Sequence, residues 1–99
     1  SKYAGFLMST FRYSDAKKFY MAAIQRYPAG ANRYWNRYQL ARAHEKLDEN
    51  KEAVELLLYL YEEDAIQYDA RVANKNELKL RIQKLIEVND LDMDPFGER

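Results

Sequence analysis

Apolar residues recur along this chain at helical spacing, and breaks in that spacing are few. Tyr3, Leu7 and Phe11 repeat at i, i+4 and i+8, with Phe6 and Thr10 flanking them, and predict a first helix over residues 2–11. Ser14 is a good N-cap for a second helix and Asp15 suits its first turn, where the helix dipole favours an acid. Ala16, Phe19, Tyr20, Ala23, Ile24 and Tyr27 then mark one amphipathic face, ended by Pro28, which lacks an N–H and disfavours helix in the residue before it. A third helix is expected over residues 32–47. Tyr34, Tyr38, Ala41 and Glu45 form one edge of it, and Leu40, Ala43, His44 and Leu47 a more buried one.

A fourth helix starts at Asp48 or Asn50 and runs through Val54, Leu57, Leu58 and Tyr61. It is apolar on nearly every side over residues 56–61, so it is expected to be the most buried element. Beyond Asp64, Asn74 and Glu77 have capping-box spacing, and Leu78, Ile82, Leu85 and Ile86 form a clear stripe. Either one long helix covers residues 66–89 or the chain breaks near Asn74 and restarts; the absence of Gly and Pro favours the long helix. Turn signals cluster at residues 12–14, 28–32, 48–50 and 92–97, and the tail after Asp90 is expected to be extended or loosely packed.

Two stretches align on themselves. Asp15 and Ala16 match Glu52 and Ala53, Tyr20 matches Leu57, Ala23 matches Leu60, and Ala41 stands where Ala4 stands, all at a stride of 37 residues. On these residues the chain resembles the tetratricopeptide repeat family. Ala4, Leu7, Tyr13, Ala16, Tyr20, Ala23 and Pro28 follow the family pattern in the first unit. Leu40, Ala41, Ala53 and Leu57 follow it in the second, which departs at Leu60, at Ala65 and at Asp48, where the family has a turn glycine. The family period is about 34 residues, so the longer stride is assigned to the turn at 28–32.

The resemblance implies an all-α fold of antiparallel helix-turn-helix repeats, about five helices in a right-handed superhelical array. Repeat one would cover residues 1–31, repeat two 32–65 and a capping helix or partial third repeat 66–91, so that residues 1–91 form the domain and 92–99 a tail. The run Tyr27-Pro28-x-Gly30-x-Asn32 is similar to repeats of bacterial envelope proteins, which implies a periplasmic or envelope location, with the cytoplasm as the alternative.

Composition narrows the function. Three Gly and two Pro are too few for the turns of a small sheet protein, and 47% apolar with 32% charged residues permits a core under a well-solvated surface. Sixteen basic and sixteen acidic residues cancel, so phosphate-driven nucleic-acid binding has no support at the level of the whole chain. No cysteine is present, which removes disulfides, thiolate metal sites and a cysteine nucleophile. The longest apolar run, residues 56–61, is too short to span a bilayer, so no membrane insertion is expected. The chain begins at Ser1 rather than Met, which reads as an excised domain. His44 stands without ligand partners at metal spacing, the run Glu62-Glu63-Asp64 lacks a calcium loop's alternating ligands, and no catalytic motif occurs. The expectation is a protein that is not an enzyme and holds no cofactor or metal.

Most tyrosines, Tyr3, Tyr13, Tyr20 and Tyr59 among them, are expected to fill gaps between helices. Trp35, Tyr38, Arg42 and Glu45 differ, because they lie at i, i+3, i+7 and i+10 in one stripe of the third helix. The resemblance implies that this helix lines a concave groove. Trp, Tyr and Arg are the residues most enriched at binding hot spots. Arg33 and Arg37 add positive charge and favour an acidic or carboxylate-bearing protein or peptide partner; the alternative is that Trp35 packs on a neighbouring repeat. A binding scaffold is therefore expected, with a structural spacer or homo-oligomerising segment as the alternative and an RNA-binding repeat as a distant third.

Overall fold

The computed structural model describes residues 2–9 and 12–98. Among these the chain forms five α-helices and no strand: α1 Lys2–Ser9, α2 Tyr13–Arg26, α3 Arg33–Lys46, α4 Asn50–Glu62 and α5 Lys75–Asn89, with a 3-10 turn Ala65–Gln67 after α4. Each helix packs chiefly on its neighbours in sequence, an all-helical, repeat-like array 39 × 28 × 20 Å across. The expected end of α1 at Phe11 lies outside the described residues.

Small residues set the helix spacing. Ala4, Ala16, Ala41 and Ala53 are all fully buried, so the first two and their partners 37 residues on play the same part in their hairpins. Tyr20 and Leu57 fill the matching large positions, both inaccessible to solvent. A methyl side chain lets two backbones approach closely, and a large apolar one fills the space beside the contact.

The most buried helix is α3, not α4 as its apolar run suggests. Tyr34, Asn36, Gln39, Leu40, Ala41, Ala43 and His44 are all buried, against Ala53, Val54, Leu57 and Leu60 in α4. Helix α3 packs on α2 and α4, and even its polar residues Asn36, Gln39 and His44 are covered. They are satisfied locally, and no buried side-chain polar atom among the described residues lacks a hydrogen-bond partner.

Three helices end on aspartate in the left-handed region, Asp48 (φ 60°), Asp64 (φ 50°) and Asp90 (φ 50°). After α3, the amide of Glu49 donates to the carbonyl of His44 and that of Asp48 to Glu45. After α5, Leu91 donates to Ile86 and Asp90 to Glu87 in the same pattern. These are paired closing bonds of a Schellman cap, in which aspartate replaces the usual glycine at some steric cost.

Three local expectations are corrected. Ser14 does not cap α2; the helix already includes Tyr13, with Arg12 at the cap and no side-chain bond there. A single helix over 66–89 does not form. Asp64 turns the chain out of α4, residues 68–74 run as a connection, and α5 starts where the Asn74 side chain accepts the Glu77 amide at 2.9 Å. The segment after α5 is not loose either: Leu91, Met93 and Phe96 pack against the α3–α4–α5 core, and Phe96 meets Tyr61 edge to face at 5.1 Å. Of the tyrosines expected between helices, Tyr20 is buried, whereas Tyr3 and Tyr59 stay 57% and 40% exposed.

Candidate interaction groove

The break at Asn74 has a consequence for the surface. It brings α5 beside α3 across α4 and leaves a groove of about 360 Å³ between them. Ala73 and Tyr38 of α3 supply its accessible apolar surface, above the buried Leu57 and Leu78. Arg42, Glu45 and Lys46 of α3 face Glu77 and Arg81 of α5 along the polar rim.

Charge on the rim is uneven. The Glu45 carboxylate, its side chain only 11% exposed, is bridged by Arg81 across the groove. Glu77 is occupied at the start of α5, where it accepts from the Asn74 side chain at 3.2 Å. Arg42 donates to the neutral Gln39 amide oxygen at 2.7 Å, and no carboxylate among the described residues pairs with it or with Lys46. Two cations of α3 therefore stand on the rim without a paired acid, beside Tyr38 and Ala73.

Gln39 also bonds the phenol of Tyr20, whose pKa is raised by burial, partly offset by that hydrogen bond and by the Arg42 charge. The position of Arg42 is thus tied through Gln39 to the core of the first hairpin.

The six residues singled out in the sequence divide. Tyr38, Arg42 and Glu45 line the groove. Trp35 sits just beyond it, half-buried, tilted against Tyr38 at 6.1 Å and covered by the Arg71 guanidinium at 4.9 Å from the ring centroid. Arg71 is itself held by both oxygens of Asp69 and donates to the Asn32 side chain at 2.9 Å, so Trp35 and Arg71 fasten the α4–α5 connection to the start of α3. The hydrogen bonds from Arg71 hold the Asp69 carboxyl below its ordinary value, and Asp69 in turn raises the guanidinium.

Arg33 and Arg37 lie elsewhere on α3. Arg33 stacks on Tyr34 at 4.7 Å and donates to the Gly30 carbonyl; Arg37 lies 5.2 Å from the Tyr59 ring and donates to the Arg33 carbonyl at 2.8 Å. Neither contributes to the groove. Ala73, Leu78 and Arg81 were missed as groove residues because a continuous helix from residue 66 gives no register that sets α5 against α3, and Lys46 because it falls outside the stripe of Trp35, Tyr38, Arg42 and Glu45. The Asn74–Glu77 spacing was the one signal that could have found them.

His44 is 8% exposed and its Nδ1 lies 2.9 Å from Glu49 Oε1. Lys17 of α2 donates to both oxygens of the same carboxylate at 3.0 Å. Hydrogen bonds from Lys17 first and His44 second lower the pKa of Glu49. This cluster ties α2 to the α3–α4 turn. No helix among the described residues is long and apolar enough to cross a membrane. Compared with known proteins, the chain matches no family model, and no curated protein or solved structure shows significant similarity to it.

Proposed function

We propose that this chain is a protein–protein interaction module of tetratricopeptide-like design, which holds an acidic segment of a partner protein in the α3–α5 groove and carries out no chemistry itself. The observation that carries this reading is the pairing of unneutralised Arg42 and Lys46 with the accessible apolar surface of Tyr38 and Ala73. A carboxylate of the partner takes the guanidinium of Arg42 in a charge-assisted bond, and an apolar neighbour in the partner packs on Tyr38 and Ala73. Tyr38 supplies an aromatic edge with few rotamers to freeze. The alanines buried at a stride of 37 residues support the repeat design.

Titration of the isotope-labelled chain with a panel of peptides, alternating leucine with glutamate or with lysine, tests the reading by NMR shift mapping. Glutamate peptides are expected to shift Tyr38, Arg42, Leu78 and Arg81. Arg42→Ala is expected to weaken their binding by roughly tenfold or more, the weight of one hydrogen bond to a charged group. Shifts that fall outside the groove, or equal binding of lysine peptides, overturn it.

A further inference from the structure

Helices α3 and α5 face each other across the groove but are not packed together as neighbours in sequence are. Helix α5 is seated chiefly on α4, where Leu78, Ile82 and Leu85 join the buried cluster of Val54, Leu57 and Leu60. Between α3 and α5 themselves, one polar tie occurs among the described residues: the Arg81 guanidinium donates to the Glu45 carboxylate. Both residues line the groove, so this bridge crosses the space between its two sides. Its ends differ in cover. The Glu45 side chain is largely enclosed, whereas that of Arg81 is 49% exposed.

The other charged groups of the groove are Arg42 and Lys46 of α3 and Glu77 of α5. Glu77 is engaged by Asn74 at the start of α5, and Arg42 by the neutral Gln39. Glu45 is thus the acid that holds an arginine open to a partner's carboxylate. An ion pair with one end half in water shifts an equilibrium by only about fivefold or less, so a carboxylate carried in by a bound segment can displace it.

We infer that the Glu45–Arg81 bridge is a strap across the groove, which holds α5 toward α3 in the free chain and opens when an acidic partner draws Arg81 onto its own carboxylate. The opening rests on the groove being the binding site; the strap does not. Arg81 is the arm that moves, because its long side chain already reaches solvent. Glu45 stays on α3, one turn from Arg42, which keeps a positive charge beside it. The same acid therefore closes the free groove and competes with the partner, and it holds affinity for acidic segments below what the cations alone would give.

Native-state hydrogen exchange of the full chain reads the strap without any partner. Glu45→Gln and Arg81→Gln are each expected to speed exchange in residues 75–82 of α5 by about two- to fivefold, with the amides of α2 unchanged. Peptides alternating leucine with glutamate read the release. Glu45→Gln is expected to bind them about two- to fivefold more tightly than the parent. Arg81→Gln is equally unstrapped but lacks the cation that the peptide takes, so it is expected to bind more weakly than Glu45→Gln. Unchanged α5 exchange in both variants contradicts the strap. If the peptides still shift groove resonances but Glu45→Gln gains nothing over the parent, or the two variants bind equally, the release is contradicted and the groove reading stands. Peptides that shift no groove resonance remove the groove reading and the release together, while the exchange rates still decide the strap.

Discussion

The α1–α2 and α3–α4 hairpins share a stride of 37 residues but are covered to different depths. Ala4, Ala16 and Tyr20 of the first and Ala41, Ala53 and Leu57 of the second are buried alike. The pair Ala23 and Leu60 breaks the likeness: Ala23 is half-buried on α2, while Leu60 is fully enclosed on α4. The cause lies in the neighbours. Helix α4 is closed in by the fourteen-residue α3 and the fifteen-residue α5, whereas α2 has α3 on one side and only the eight-residue α1 on the other. Small residues at the helix crossings are dictated by backbone approach and repeat faithfully. Large residues answer to how many neighbours surround them, and they do not.

The largest expected effect tests that contrast at its point of departure. Leu60→Ala leaves a cavity in an enclosed site and is expected to cost about 2–5 kcal/mol by urea unfolding. Ala23→Leu, at the matching position of the first hairpin, has room to extend toward solvent and is expected to cost less than about 1 kcal/mol. Equal losses would mean that both hairpins are enclosed alike.

A smaller effect, of opposite sign, is expected where the second hairpin turns. Asp48 occupies a left-handed conformation that glycine takes without strain, at the place where the resembled family keeps glycine. Asp48→Gly is expected to raise stability by about 0.5–1 kcal/mol, net of the lost bond from the Asn50 side chain. Thermal unfolding that shows a loss would assign Asp48 to the turn through its side chain rather than its backbone.

The smallest effect concerns the polar tie between the hairpins. Glu49 has a folded pKa below its ordinary value of 4.5, chiefly through Lys17 and then His44. Its contribution is therefore complete above about pH 4.5 and disappears as pH falls through the lower folded value. Because the carboxylate is open to solvent, the effect is modest and screened by salt. Asp69, depressed by Arg71 from an ordinary 3.8, behaves the same way at somewhat lower pH. Acid titrations of stability are expected to flatten in Glu49→Gln; an unchanged profile would remove Glu49 from the account of how the hairpins are joined.

Much of the architecture was legible from period and spacing, because alanines at helix crossings and apolar stripes answer to local geometry. What escaped was decided elsewhere in the fold. The depth of α3 extends to polar residues, and Asn36, Gln39 and His44 give no apolar signal of it. The break before α5 was hidden because Asp64 takes the left-handed conformation that a reader looks for in glycine, and the Asn74 cap was outweighed by the lack of Gly and Pro. For the groove, one side was visible as the stripe Tyr38, Arg42 and Glu45. Its other side, Leu78 and Arg81, depended on that break. Trp35 looked like an anchor from composition, yet Arg71, thirty-six residues later, covers its ring.

Native-state hydrogen exchange tests the central claim, that α3 is the shared inner helix of a consecutive array, most directly. The account predicts that amides of α3 around Leu40 to Ala43 exchange slowest, near the rate of global unfolding, with α4 next and α1 fastest. Slowest exchange in α4, or equal protection in α1 and α3, would contradict it.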